Sequence, residues 1–438
     1  MTQAATAAAR RVPLPLTFDF RRAAAFLSLA GVTVTGCLLA VGVAGEASSF
    51  VPGRKGGYPG WLHEPLSSLD LGLSPHWVVF ALLAMWVFYG LTIVFSRDIS
   101  ARAGLTAIAT LNLAFLLGPP LLSMDVFSYI EYGRLGALHG LNPYVYAPSA
   151  VPQDAAFPFI GWHSQTSVYG PLFTLGTYAT APLGVGGALW AMKVVTVSAS
   201  LGCVALVWKA AERLGRRPLE AALFFGLNPL LLVYAVGGVH NDVLMLAAAL
   251  GGIVLVLSRR EAAGGLALVA STAVKASSGV LLPYLLIGAR RRGRYLAGAL
   301  AGAVGATAIW AIAFHGQVGP FLDTLRWQQS HGSLHSVPKA LGSFIGLPVT
   351  NNALRHVFQV VMVAALALTL RYAWRGGNWV VAAGWGTMTL LVTTAWLLPW
   401  YVIWVLPIAA MTGDRKLRLA TIAMCAFVIG MRIPYLLA

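Results

Sequence analysis

Apolar runs of helix-spanning length, separated by short polar connections, fill the chain almost from end to end. A helix-length window predicts spans near 23–44, 76–95, 104–122, 186–208, 219–237, 243–257, 262–275, 277–289, 294–314, 352–372, 378–398, 400–411 and 417–436. Three of these, 262–275, 277–289 and 400–411, are short for a crossing; the first two meet around Lys275 and the third follows Pro399. They predict broken or half-inserted helices, which are tolerated at membrane depth only where protein or water satisfies the freed backbone, and so predict a cavity. A further segment, 168–183, reads as an interfacial or partly inserted helix, because a crossing there would put the basic 209–217 loop outside. The expected fold is all-α and polytopic, with about 13 spans. It comprises a basic cytoplasmic stretch, 1–22, and one transmembrane domain, 23–438, with external loops at 123–185 and 315–351.

Composition agrees: 58% of the 438 residues are hydrophobic, 10% are charged and the mean hydropathy is +0.75, against roughly 25% charged in soluble domains. A net charge of +16 would suggest nucleic acid in a soluble chain. Here the basic residues fall in short loops: Arg97 and Arg102, Arg213 to Arg217, Arg259 and Arg260, Arg290 to Arg294, Arg371 and Arg375, and Arg415 to Arg418. All lie inside if the N-terminus is cytoplasmic, so they set orientation and no nucleic-acid partner is expected. The run after Arg21 and Arg22 lacks a cleavage signature and reads as a retained first span. Cys37, Cys203 and Cys425 lie far apart in apolar segments and read as small hydrophobes.

The polar chemistry collects on the predicted external face. The run MDVFSYIEYGRLGALHGLNPYVYAP, 124–148, places Asp125, Glu131 and Arg134 in oily surroundings, where charge is costly unless it serves a partner or substrate. Asp125 reads either as a helix cap or as a general base accepting a hydroxyl proton. Glu131 and Arg134 either pair with each other at i, i+3 or contact substrate. His240, Asn241 and Asp242 follow two glycines, where capping of the next helix and substrate contact are both open. Lys275, flanked by Ser271, Thr272, Ser277 and Ser278, is a cation at membrane depth suited to a phosphate. The loop of 37 residues at 315–351 carries Arg326, His335 and Lys339, which suit either an anionic ligand or lipid headgroups. Trp400 and Tyr401 fit an aromatic interfacial belt or a sugar-stacking surface. No nucleotide-binding glycine motif or hydrolase signature stands out.

Four ordered blocks carry a resemblance: MDVFSYIEYGRLGALHGLNPY, SVYGPLF, GGVHND and LLPWYVIWVLP. From about residue 70 onward the chain resembles the MptB-type polyprenol-phosphate-mannose-dependent mannosyltransferases of bacteria, a branch of the GT-C membrane glycosyltransferases. The resemblance implies a large first external loop with an acidic residue near its start, a position that Asp125 matches. It also implies transfer of mannose from a polyprenyl-phosphate-mannose donor to a lipid-linked α-1,6-mannan acceptor, on the outer face of the cytoplasmic membrane. A β-linked donor and an α-linked product need one inverting displacement. No cofactor is required, and a divalent metal is possible without being demanded.

On that reading Lys275, Arg326 and Lys339 are the candidates for the donor phosphate. Sugar or acceptor contacts are expected from Glu131, Tyr132, Arg134, Asn142, Tyr144 and Tyr169, and from His240, Asn241, Asp242, His335, Trp400 and Tyr401. The donor tail is expected between the helices near 262–314, with the acceptor crossing the 315–351 loop. A transporter or flippase of lipid-linked sugars would use the same broken helices, and other polyprenyl-phosphate sugars are admissible donors.

Overall fold

The computed structural model describes residues 20–44, 49–51, 65–69, 71–347 and 352–437. The basic stretch before Phe20 and the last residues of the 315–351 loop lie outside them. Every regular element among the described residues is helical. The helices are α1 (Phe20–Gly42), α2 (Pro75–Val94), α3 (Ala101–Leu117), α4 (Asp125–Ala137), α5 (Pro171–Tyr178), α6 (Gly184–Arg213), α7 (Pro218–Gly226), α8 (Asp242–Leu257), α9 (Glu261–Val274), α10 (Leu282–Gly288), α11 (Arg292–Ala313), α12 (Val318–His331), α13 (Val337–Phe344), α14 (Asn352–Trp374), α15 (Trp379–Thr393), α16 (Leu406–Thr412) and α17 (Arg415–Leu437). Short 3-10 turns at Ala276–Leu281 and Pro399–Trp404 and a π-helical segment at Leu230–Val236 complete the site-forming part.

Six helices are long and apolar enough to cross a membrane by themselves, or seven if α7 and the π-helical segment, bent by 50° across a break, form one span. The protein is thus multi-pass. Pro229 sits at that break, removing a backbone donor from what the sequence pattern reads as one uninterrupted span. α11 and α14 present Leu296, Leu300, Val304, Val360 and Leu368 outward, as lipid-facing helices do.

The expected interruption at Lys275 is present. α9 stops at Val274, Lys275 is extended at φ −152° and ψ 124°, and a 3-10 turn leads into α10. The segment 168–183 is helical over α5 and a short turn that runs into α6. One expectation is corrected: most of 315–351 is the two helices α12 and α13. α12 carries charge, glutamine and tryptophan among its apolar residues, which hid it from a hydropathy window.

Small residues set how closely the helices pack. α9 lies between α8 and α11, and a Cβ on Gly298 would stand 1.8 Å from the Ala262 carbonyl oxygen, while one on Gly265 would stand 2.2 Å from that of Tyr295. Backbones meet at these crossings, as small residues permit in membranes. Gly298→Leu is expected to lower the thermal midpoint in detergent by several degrees, whereas Gly305→Ala on the same helix, with open space around it, should leave the midpoint unchanged or raise it.

Candidate active site

Two turns build the floor of the site. α3 ends at Gly118 and the chain passes through Leu122, at φ +62°, to Ser123 and Asp125; the π-helical segment ends through Val239, at φ +56°, to His240. Both are bulky residues in the left-handed region, a conformation that persists only when the surroundings hold it. The amide of Leu121 donates to the Gly237 carbonyl at 2.9 Å and that of Leu122 to the Phe50 carbonyl at 2.8 Å, so the two strained turns are stitched together.

Asp125 opens α4 without using its carboxylate as a cap. The Asp125 amide donates to Ser123 Oγ at 3.1 Å. The carboxylate faces Trp162 Nε1 at 3.4 Å through Oδ1 and His240 Nδ1 at 3.5 Å through Oδ2. Its side chain is 14% exposed. Burial pushes the Asp125 carboxyl up to about 6, partly opposed by the positive charge of Lys275 and the Trp162 hydrogen bond. His240 is fully buried, stacks on Trp400 with ring centroids 3.7 Å apart, and is held neutral by burial and by Lys275.

Behind this floor Lys275 Nζ donates to both oxygens of Asp242, each at 2.8 Å, and Trp404 Nε1 donates to Oδ1 at 2.7 Å. The Asp242 carboxylate is therefore a counter-ion and not the cap of α8, whose first turn has no side-chain cap. The ammonium also lies 4.5 Å from the Tyr401 ring centroid and 5.6 Å from that of Trp404. Bonded in this way, Lys275 already has its anion.

Above lies a cleft of about 300 Å³, lined by Asp125, Trp162, Tyr169, Lys275, Gln328, Gln329, Trp396, Tyr401 and Trp404 among others. Three indoles gather here: Trp162 and Trp396 of the lining lie 5.9 Å apart, and Trp327 stands 6.5 Å from the first and 6.4 Å from the second. Aromatic faces with amide and carboxylate groups between them suit a ligand that is apolar on its ring faces and hydroxylated at its edges.

Several expected contacts are structural instead. Arg134 does not pair with Glu131: it grips Asp154 at 2.7 and 3.0 Å, and His139 approaches the same carboxylate at 2.7 Å. Burial opposes charge on Asp154, but the bonds from Arg134, the Ala156 amide and His139 hold it well below the usual carboxylate range. Glu131 is fully buried, and burial together with the Asp154 charge pushes it up to about 8, so it is neutral at pH 7. Tyr132 donates to the Gln165 carbonyl at 2.9 Å, Asn142 to that of Phe314 at 2.9 Å, and Tyr144 to that of Tyr169 at 2.7 Å. The Asn142 bond ties the 123–185 loop to the end of α11, and the other two join parts of that loop. Asn241 accepts from Tyr129 at 3.5 Å beneath His240.

Arg326 is exposed and pairs with Asp323 at 2.9 Å, and neither it nor Lys339 lines the cleft. His335 is buried beside Tyr435, outside the cleft. Asp125, Glu131 and Asp242 do not come together as a metal-ligating set, and no three His, Cys, Asp or Glu side chains converge among the described residues. Trp327, Gln328 and Gln329 carried no sequence signal beyond their place in α12. Asp154 gave none either, since its partner lies 20 residues away.

Fold and site together define a multi-pass helical membrane protein with an acidic, aromatic-walled cleft. Residues 29–291 match the family described as alpha-(1->6)-mannopyranosyltransferase, N-terminal domain, and residues 333–435 match the MptB C-terminal domain. The chain belongs to this MptA/B family. It is 28% identical to alpha-(1->6)-mannopyranosyltransferase A of Mycobacterium tuberculosis over 70% of this chain and 65% of the relative. It is 27% identical to the A protein of Corynebacterium glutamicum over 39% of this chain and 36% of the relative, and 30% identical to the B protein of the same organism over 32% and 24%. The alignments thus span less than two thirds of each of these relatives. No solved structure matches the chain.

The Asp242 pair yields a stability test. Asp242→Asn leaves the largely buried Lys275 ammonium unmatched and is expected to cost about 3–5 kcal/mol. Adding Lys275→Met should restore most of the loss, read as thermal unfolding in detergent.

Proposed function

We propose that the protein is a membrane mannosyltransferase that moves mannose from a polyprenyl monophosphate to a lipid-linked α-1,6-mannan, on the outer face of the bacterial cytoplasmic membrane. The observation that carries this reading is the Asp125 carboxylate, held between Trp162 and His240 at the floor of an aromatic-walled cleft. Membership of a family whose relatives are named alpha-(1->6)-mannopyranosyltransferases supports the choice of sugar and linkage.

In the reaction Asp125 accepts the proton of an acceptor hydroxyl as that oxygen attacks the anomeric carbon. The carbon–oxygen bond to phosphate breaks with inversion, and polyprenyl phosphate departs with the bonding pair. One base suffices and no covalent intermediate forms. Lys275, already paired, contributes field and not a direct phosphate grip. The architecture proposed for this chemistry is GT-C-like, one domain with about 13 crossings once the shorter apolar helices are counted. The basic turns lie in the cytoplasm and Asp125 lies outside.

Purified protein given radiolabelled polyprenyl-phosphate-mannose and a short α-1,6-mannoside is expected to make the extended product. Asp125→Asn should lower turnover by about 100-fold or more. Intact transfer in a folded Asp125→Asn protein would remove Asp125 from the mechanism. EDTA is expected to leave the rate unchanged, since the step as written uses no metal.

The pH profile offers a separate check. Burial raises the Asp125 carboxyl to about 6, so the base is ionised above that value and protonated below it. Transfer is expected to rise with pH through about 6, and a profile flat from pH 5 to 7 would contradict this assignment.

A further inference from the structure

The cleft that holds Asp125 contains one lining cation among the described residues, Lys275, and both of its bonds to carboxylate go to Asp242. A departing phosphate finds no unmatched positive charge there. Across the Leu122–Asp125 turn lies a second cleft of about 690 Å³, lined by Ser49, Ser74, Ser123, Met124, Arg432 and Tyr435 together with apolar side chains. Arg432 has no carboxylate partner among the described residues; its Nε is buried without an acceptor, and its guanidinium stands 6.0 Å from the Tyr435 ring centroid. His335, 6% exposed, faces the same ring at 6.1 Å with both ring nitrogens unpartnered. A cation and a buried imidazole lacking acceptors are costly unless an anion completes them.

Depth and lining point to the kind of anion. Arg432 lies 17 residues beyond Arg415 on α17, about 26 Å along the helix, which carries it across most of a bilayer to the face opposite the basic Arg415 turn. Phe50, Leu122 and Leu436 line both this cleft and a small apolar recess among Leu39, Val78 and Leu82. A polar head beside an apolar recess at headgroup depth fits a phosphate carried on a hydrocarbon chain.

We propose that this second cleft binds the phosphate of a lipid-borne phosphate ester, with Arg432 as its counter-ion and the Ser123 hydroxyl as a further donor; His335 faces Tyr435, which lines the cleft, without lining it itself. On the mannosyltransferase reading, on which this assignment of the ligand rests, it is the phosphate of the polyprenyl donor. Ser123 lines this cleft and Asp125 lines the other. The proposed phosphate site and the Asp125 carboxylate thus lie on the two sides of one turn. Burial and the Arg432 charge lower His335 to about 4, so a neutral imidazole with one N–H is present at physiological pH. The donor tail then enters beside α1, α2 and α17 and not between the helices near 262–314.

The test is binding of a fluorescent prenyl monophosphate to the full chain in phosphatidylcholine nanodiscs. Wild type is expected to bind, Arg432→Gln to bind about 10- to 100-fold more weakly, and Arg432→Lys to recover part of the loss. Equal binding by wild type and a folded Arg432→Gln protein overturns the proposal. Phosphatidylglycerol that competes as well as prenyl phosphate would assign the cleft to bulk lipid headgroups and overturn the donor assignment. If the variants do not fold, phenylglyoxal labelling of wild type decides: prenyl phosphate should protect Arg432, and unchanged labelling overturns the proposal. Mannosyl transfer is assayed separately, so Arg432-dependent binding without transfer would reject the mannosyltransferase reading and leave the phosphate site standing.

Discussion

The bond between Lys275 and Asp242 is the constraint around which the rest of the site is arranged. The Asp242 carboxylate is completely buried and its charge is matched by Lys275, which stands in the extended break between α9 and the 3-10 turn that follows it. The break after α9 supplies the cation, and the Pro399–Trp404 turn supplies the indole that completes the carboxylate. Three segments distant in the chain are thereby fixed to one point, and the positive charge so placed tempers Asp125 and keeps His240 neutral.

Strain and stitching lie around that point, at the floor of the cleft. Leu122 and Val239 occupy conformations that glycine would adopt more easily, and they sit immediately upstream of the two polar turns. Such positions cost about 1–3 kcal/mol each. What holds them is the Leu121 to Gly237 hydrogen bond together with packing of Leu121 and Val239 in the core.

The helical class was legible in the apolar runs, and the break at Lys275 in a local violation of that pattern. Pairings were not. Glu131 and Arg134 have helix-neighbour spacing, yet Arg134 is drawn to Asp154, which offers two oxygens to its fork. Asn142 and Tyr144 sit in a motif rich in polar groups, yet their hydrogen bonds go to backbone carbonyls that only the folded chain brings near. Arg432 belongs to none of the sequence blocks singled out. Its lack of a carboxylate partner among the described residues is a tertiary property, as is the gathering of Trp327 and Trp396 around Trp162.

That indole triangle has an optical consequence. Three tryptophans within 6.5 Å of one another exchange excitation energy readily, and one of them donates its N–H to the Asp125 carboxylate. Trp77 and Trp374 are exposed on α2 and α14; Trp162 and Trp396 line the cleft, with Trp327 against them. The protein therefore carries an intrinsic chromophore at the cleft, whose emission and polarisation follow occupancy without any attached label.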